Sequence, residues 1–532
     1  MQPQKITPDR CFNSTTLPQA RELLQQAVSL AKSIDDRRGE SFALGELAHT
    51  YECSQDYRQA LKLTQQARLA AEQDKDSLYL WEWQTGRILI KQGNKEAGIA
   101  AYERAISTLE SIRGDILTAN RDIQFDFRDT VEPIYRQLIE QRLDEVNNSL
   151  IIEPNQPNNL TSILNTVDSL RLAELQNYFG NDCALREVTL TTVDVTNPDR
   201  HTVYISSIIL DNRTAIIALF PGGKTKVIWH QQNRQEIERE INEFRRNLER
   251  FRDNYNPQVG QNIYQWLISP FERDLEQAEI KTLVFLQDGL LRSIPMAALY
   301  DGKKFLIEKY AIATTPSLNL TNPEVLNRDR LKALVLGLTE SARIDGRKFA
   351  PLPNVEQEIN QVQDVLTQSK EFIDEEFTRD RIIQELAETS YPIIHIATHG
   401  QFGSEPEDTF LVTGNEEKLT LTELDRIIRS TTPNNDPVEL ISLTACQTAV
   451  GDDRAALGLA GVAVQAGVNS ALASLWSIAD EATPQIIQQF YISLKDNNVN
   501  KAEALQQAQI ASIERGIHPA YWAAFIIIGN WL

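Results

Sequence analysis

Two stretches, Pro392-Ile-Ile-His-Ile-Ala-Thr-His399-Gly400 and Glu439-Leu-Ile-Ser-Leu-Thr-Ala-Cys446-Gln447-Thr448, decide how this chain is read. Each carries an apolar run interrupted only by one polar residue, His395 or Ser442, and ends on a side chain able to do chemistry. A strand without polar alternation is buried on both faces, which is the habit of parallel sheets covered by helices. Ala333–Gly337 and Ala471–Trp476 have the same character. Helical periodicities lie between these runs, at Val355–Thr367, Arg379–Glu388, Leu457–Ala466 and Thr483–Leu494. The alternation predicts an α/β unit, a parallel-rich sheet with helices on both faces, whose ligands gather at the carboxyl ends of the strands. Such a sheet delivers the His399 imidazole and the Cys446 thiol to one edge.

That pairing suits nucleophilic catalysis. The attacking species is the thiolate, a nearby imidazole stabilises it, and the imidazolium then protonates the leaving group. Gly400, lacking a side chain, lets its N–H approach a reacting carbonyl, and with the N–H of Cys446 it would form an oxyanion hole. Other features do not survive inspection. His395 and His399 are four apart, about 13 Å along a strand, too far to hold one metal; His395 is expected in the core or behind the site. Gly222-Gly223-Lys224-Thr225 lacks the first glycine of a phosphate loop, since position 218 is Ala218, and it reads as a hairpin turn. No G-x-S-x-G occurs. No metal or cofactor is expected.

Upstream, His201–Leu210 and Thr214–Phe220 flank Asp211-Asn212-Arg213 as a hairpin, a charged helix covers Arg234–Arg252, and the strand Thr282–Gln287 runs into an Asp288-Gly289 turn. The first ~110 residues repeat. Leu44-Gly45-x-x-Ala48-x-x-Tyr51 with Asp56-Tyr57-x-x-Ala60 is matched by Trp81-x-x-x-Thr85-x-x-Ile88 with Asn94-x-x-Ala97, and Ala20–Ser33 resembles half of another copy. Each copy predicts two helices around a polar turn, Ser54–Asp56 or Gln92–Lys95, with Ala48, Ala60 and Ala97 allowing close packing. Glu153–Asn159, with two prolines and three asparagines, marks a loop and boundary.

The chain has 532 residues, 42% hydrophobic and 24% charged, enough for several cores. A net charge of −21 sets the chain against nucleic-acid phosphates as its main ligand. No run reaches the ~18 apolar residues of a membrane span; Ala520–Gly529 reads as a buried strand. Cys11, Cys53, Cys183 and Cys446 are scattered without a C-x-x-C pair, which argues against a disulfide framework or thiolate zinc site and for a reducing cytoplasm. The first three read as small apolar residues.

Several motifs together carry a family resemblance. His399-Gly400 precedes Thr444-Ala-Cys446-Gln-Thr by 446 − 399 = 47 residues, followed by Ser474-Leu-Trp476-x-x-x-Asp480 and His518-Pro519-x-Tyr521-Trp522-x-x-Phe525. Earlier come Gln287-Asp-Gly-Leu-Leu-Arg-Ser-Ile-Pro295, Thr315-Pro316-Ser317 and Pro351-Leu-Pro353. Over residues 160–532 the chain resembles the CHAT family, relatives of caspases and separase that often follow tetratricopeptide repeats. The resemblance implies a caspase-like fold with a Cys446–His399 dyad. It implies an order of tetratricopeptide-type repeats (1–113), helical linker (114–180), pseudo-caspase-like α/β domain (181–330) and catalytic domain (331–532).

Kinship with separase further implies that Asp480 meets a P1 arginine, a pairing a carboxylate makes in bidentate fashion; an N-cap for the helix starting near Ala482 is the alternative role. The resulting expectation is a cytoplasmic cysteine endopeptidase that cuts protein substrates after Arg or Lys and is gated by a regulatory protein on its repeats, without membrane or nucleic acid. A catalytically silent scaffold is the alternative. The loop Val450-Gly451-Asp452-Asp453-Arg454 is a candidate for self-cleavage or self-blockade.

Overall fold

The computed structural model describes Cys11, Gly461 and residues 16–119, 127–146, 151–152, 157–179, 200–250, 255–321, 324–328, 331–403, 408–431, 438–444, 446–448, 468–478 and 481–532. Cys183, Asp480 and the Val450–Arg454 loop lie outside these residues. The chain forms two compact units, Met1–Asn148 with Asn158–Leu170, and Ser149–Pro157 with Arg171–Leu532. Among the described residues no helix is long and apolar enough to cross a membrane.

The first unit is built from helices α1 (Leu17–Ser33), α2 (Arg37–Cys53), α3 (Tyr57–Ala70), α4 (Lys75–Lys91), α5 (Lys95–Ala119), α6 (Glu132–Val146) and the residues up to Leu170 of α7 (Pro157–Phe179). The breaks fall where the polar turns predict. Asp36 accepts from Gly39 N at 2.8 Å, Asp56 from Gln59 N at 3.2 Å and Asn94 from Ala97 N at 3.3 Å, so each side chain satisfies an N–H that the helix leaves unpaired. Ala48 and Ala60 are fully buried, as close packing requires. In the second pair the close approach belongs instead to Gly86 and Gly98: a Cβ on either would stand 3.2 Å from the other's carbonyl oxygen. Ala97 is only half-buried. Trp81 spans the two hairpins, its indole N–H donating to Ser41 Oγ at 2.7 Å while its ring lies over Gly45.

One expectation fails here. Cys11 and Cys53 are joined in a disulfide with Cα atoms 5.3 Å apart, across 42 residues of sequence. Their spacing holds no hint of it, because only the packed helices bring the end of α2 to Cys11.

The second unit is organised on one sheet of twelve strands among the described residues. Its N-terminal strands are β1 (Ile151–Ile152), β2 (Thr202–Ile209), β3 (Thr214–Leu219), β4 (Thr225–His230), β5 (Thr282–Leu286) and β6 (Ala311–Thr314). From the C-terminal half come β7 (Ala333–Gly337), the paired ribbon β8 (Ala342–Ile344) and β9 (Arg347–Phe349), β10 (Lys370–Ile373) and β11 (Ile393–Ala397). These are followed by β12 (Gly400–Phe402), β13 (Phe410–Val412), β14 (Lys418–Thr420), β15 (Leu440–Leu443), β16 (Cys446–Thr448), β17 (Ser470–Ser474) and β18 (Phe525–Gly529). The order is β1-β4-β3-β2-β5-β6-β18-β17-β15-β11-β7-β10, with β12, β13, β14 and β16 in a separate four-stranded sheet. The β2–β3 hairpin forms in the predicted place, pairing Ile209 with Thr214, and Pro221–Gly223 turns β3 back into β4. Residues 181–330 and 331–532 meet in this sheet at β6 and β18, which run parallel at Thr314 and Ile528.

From β7 to β15 the pairings are parallel, and β17 continues them on β15; β18 alone reverses among these neighbours. The apolar runs are sequestered as expected: Leu334, Val335, Ile393, Leu440, Ile441 and Leu472 have no exposed surface. Each such side chain contributes roughly 1.5–3 kcal/mol relative to exposure.

Gly45 yields a prediction for the helical unit. A Cβ there would stand 2.2 Å from the Trp81 ring, so the two hairpins must part or the indole must leave its pocket. Gly45→Ala is expected to destabilise this unit by about 1–3 kcal/mol, as overpacking does. The measurement is the urea midpoint of the helical transition by circular dichroism, and an unchanged midpoint would mean that Trp81 is not fixed.

Candidate functional site

Three neighbouring strands, β17, β15 and β11, run in the same direction and end at the same edge. Their continuations carry Asp480, Cys446 and His399 respectively. The register fixes how two of these meet. Ile393–Ile396 pairs with Leu440–Leu443 in the main sheet. Both chains then cross into the small sheet, where Gly400, Gln401 and Phe402 pair in parallel with Cys446, Gln447 and Thr448. The residue after His399 is therefore the strand partner of Cys446, and neighbouring strands lie about 4.8 Å apart. Of Cys446 the backbone is described; its side chain, like Asp480, lies outside the description.

His399 is held from several directions. Its own carbonyl accepts from Val412 N at 2.9 Å, and the preceding Thr398 hydroxyl donates to the Val412 carbonyl at 2.7 Å. Its Nε2 lies 2.6 Å from the carbonyl oxygen of Ala350, and the ring of Phe349 stands 5.1 Å away at 44°. Only an N–H can donate to that carbonyl, so Nε2 carries the proton and Nδ1 becomes the proton-accepting nitrogen of the neutral ring. Phe349 and Ala350 leave the β8–β9 ribbon just after β7, a contribution invisible in sequence because a backbone carbonyl supplies it.

Below the site His395 is fully buried, as expected of a core residue. Its Nδ1 is 3.2 Å from the Tyr491 hydroxyl, and Nε2 is 3.1 Å from Glu358 Oε1, near enough for attraction though too bent for a hydrogen bond. Burial pushes the Tyr491 hydroxyl far above its ordinary range, so it stays protonated beside the imidazole.

The loop toward Asp480 is anchored through Leu475 and Trp476 of its own motif and through partners the sequence did not single out. Leu475 N donates to Ala524 O at 2.9 Å, and the Trp476 indole donates to Ala520 O at 2.9 Å. Arg245, almost wholly buried on the predicted charged helix (observed as Arg234–Glu249), donates to Leu475 O at 3.1 Å and pairs with Glu249. Its guanidinium lies 5.8 Å from the Trp476 ring centre. The helical period put residue 245 beside the apolar stripe of Ile237, Ile241, Phe244 and Leu248, the one signal available. On the other side, Tyr178 of α7 donates to Gly403 O at 2.7 Å and contacts Thr409 Oγ1 at 2.9 Å, bracing the β12–β13 connection.

The hydrogen bond to Ala350 makes a prediction independent of turnover. In Cys446→Ala protein, nitrogen-15 NMR above pH 8 is expected to report His399 as the Nε2–H tautomer. A dominant Nδ1–H signal would contradict the assignment.

The CHAT domain family model matches residues 257–530, just over half of the chain. No curated protein matches it. Solved structures that do include the Arg-specific cysteine proteinase gingipain R, at TM-score 0.33 and 11% identity over 56% of this chain and 74% of that one. The complex of Porphyromonas gingivalis RgpB pro- and mature domains matches at TM-score 0.32 and 11% identity, over 56% and 76%. A Thermobaculum terrenum O-GlcNAc transferase variant matches at TM-score 0.17 and 12% identity, over 96% and 99%. At these scores the structural likenesses carry no argument of their own. The family model does: its span includes both strand ends that bear His399 and Cys446, and the chain belongs to the CHAT family.

Proposed function

We propose that this chain is a cysteine endopeptidase whose nucleophile is Cys446 and whose acid/base is His399. The observation that carries the reading is the strand register: Gly400, next after His399, is paired with Cys446 on the adjacent strand. In this reading His399 Nδ1 takes the thiol proton, with Nε2–H anchored on Ala350 O. The thiolate attacks the scissile carbonyl, and the N–H groups of Gly400 and Cys446 receive the developing oxyanion. The imidazolium then returns its proton to the leaving amine.

Asp480 is the proposed partner of a basic P1 side chain, Arg or Lys. Supporting this is its place after β17, next to the strand that bears the nucleophile, and the clamping of that loop by Arg245 and Ala520. The helical hairpins of the first unit are the proposed seat of a protein that gates the activity, since stacked helical pairs present extended surfaces to partners. The setting proposed is the cytoplasm.

Cys446→Ala and His399→Ala are each expected to lower cleavage of an arginine peptide reporter by at least about a thousandfold, with the fold unchanged, because the two groups act as one unit. Activity persisting in Cys446→Ala would remove the nucleophile assignment, and an inert wild-type protein on all basic reporters would leave a scaffold. Asp480→Ala is expected to raise the barrier for arginine substrates by about 3–5 kcal/mol, as an unpaired buried cation does. Loss of stability with unchanged kcat/KM would mark Asp480 as a structural residue, although the N-cap position of the following helix is occupied by Ala482 rather than Asp480.

A further inference from the structure

The peptidase reading makes no use of the disulfide in the helical unit, and its surroundings are unusual for a bridge that only fastens two segments. His49 sits one turn before Cys53 on α2, almost wholly buried, with Nε2 3.5 Å from Cys53 Sγ. Its Nδ1 is 3.2 Å from Glu52 Oε2. Glu52 is gripped by Arg87, whose Nε and a terminal nitrogen donate at 2.9 and 3.0 Å. Burial opposes ionisation of Glu52, but the Arg87 charge and the hydrogen bonds from His49 and Arg87 win and hold its pKa at about 2. A permanently ionised Glu52 accepts Nδ1–H and so turns the other imidazole nitrogen toward the sulfur. Arg87–Glu52–His49–Cys53 is thus a directed chain from α4 to the disulfide.

The position of Cys53 explains what such a chain is for. Cys53 is the last residue of α2, where the negative end of the helix works against a thiolate. An imidazole that can carry a proton to that sulfur offsets the penalty. The other sulfur belongs to Cys11, which is exposed and open to attack from solvent.

We propose that Cys11–Cys53 is a reversible redox modification site, opened by small thiols, in which His49 acts as the acid/base for Cys53. A thiolate attacks Cys11 Sγ, the sulfur–sulfur bond breaks, and its electron pair passes to Cys53 Sγ. His49 Nε2 takes up a proton from solvent, since Nδ1–H is held on Glu52, and passes it to the departing Cys53 thiolate. A second thiol then attacks the mixed disulfide on Cys11, releasing the Cys11 thiol and the small-molecule disulfide. The net change is one protein disulfide and two thiols becoming two protein thiols and one disulfide, and the reverse runs with oxidised glutathione. Opening detaches Cys11 from the end of α2. The site stands whether or not Cys446 is a peptidase nucleophile.

The test uses the full chain. Protein equilibrated with oxidised glutathione, then with graded dithiothreitol, is alkylated and digested, and peptides are read by mass spectrometry so that Cys183 and Cys446 do not interfere. The Cys11 and Cys53 peptides are expected as a linked pair under oxidation and as two alkylated peptides after mild reduction, with the pair restored on reoxidation. Cys11→Ser, at an exposed position, is expected to abolish the pair and lower the thermal midpoint of the oxidised protein by several degrees. His49→Gln is expected to slow opening by dithiothreitol about tenfold or more, with unchanged circular dichroism. No linked pair under oxidation would overturn the proposal. One zinc ion per purified chain, lost in Cys11→Ser, would overturn it in favour of a metal site, since Cys11, Cys53 and His49 offer ligand atoms within 4.8 Å of one another. Equal opening rates in His49→Gln would remove the role of His49.

Discussion

Parallel pairing of β11 with β15 is the constraint on which the rest of this structure depends. Four consecutive residues of each strand are in register, Ile393–Ile396 against Leu440–Leu443, and all but His395 and Ser442 are apolar. A parallel pair emerges from the sheet on the same side, so whatever follows each strand is brought to one edge. A slip of one residue would reverse the faces of every side chain and bury the wrong set, so the apolar pattern fixes the register. The second pairing, β12 with β16, inherits that register and places Gly400 opposite Cys446. Three-residue strands would hold this arrangement poorly by themselves. They hold it because β13 backs β12 through Gly400 and Leu411, and because Thr398 and His399 are tied to Val412.

The remaining supports come from distant parts of the chain. From the N-terminal half of the sheet, the helix Arg234–Glu249 contributes Arg245 to the Leu475 carbonyl beyond β17. Burying a guanidinium is costly, and burial draws its pKa down although Glu249 opposes this. The side chain is kept because a carbonyl, a carboxylate and an indole face meet it at once. The β6–β18 junction has a related consequence. It makes one sheet of two halves, so β18, paired with β17 over five residues, is central and reports the packing of both.

How far the sequence revealed this can be argued from single residues. The apolar runs ending at His399 and Cys446 were legible because burial on both faces leaves no polar alternation, and length separates them from helices. The turns at Ser54–Asp56 and Gln92–Lys95 were legible because side-chain caps are local chemistry. What escaped was long-range. Ala350 offers a carbonyl, which every residue has, so nothing in its identity marks it. Gly86 and Gly98 took the close contact assigned to Ala97, since the choice between adjacent small residues is made by tertiary packing, which here sets the Tyr102 ring against Gly86. Cys11 and Cys53 are separated by α1 and nearly all of α2, and a pairing of two scattered cysteines is decided only by tertiary structure. Cys446 as nucleophile and Asp480 as a specificity residue rest on strand position and kinship.

The two histidines of β11 and its extension show why position outweighs residue type. His395 follows Ile394 and His399 follows Thr398, and each ring has a hydrogen-bonding partner. His395 lies inside the sheet, where β7 and β15 flank its backbone and Glu358 and Tyr491 enclose its ring. Any proton it exchanged would have to cross a packed interior, so its role is to bind β11 to the helices Val355–Val365 and Thr483–Leu494. His399 stands four residues on, after the main ladder ends, and its ring is only half-buried. The Ala350 carbonyl sets its tautomer, and the Phe349 ring stands beside it. Four residues of strand thus convert one imidazole from a structural tie into a group oriented at the edge where Gly400 and Cys446 meet.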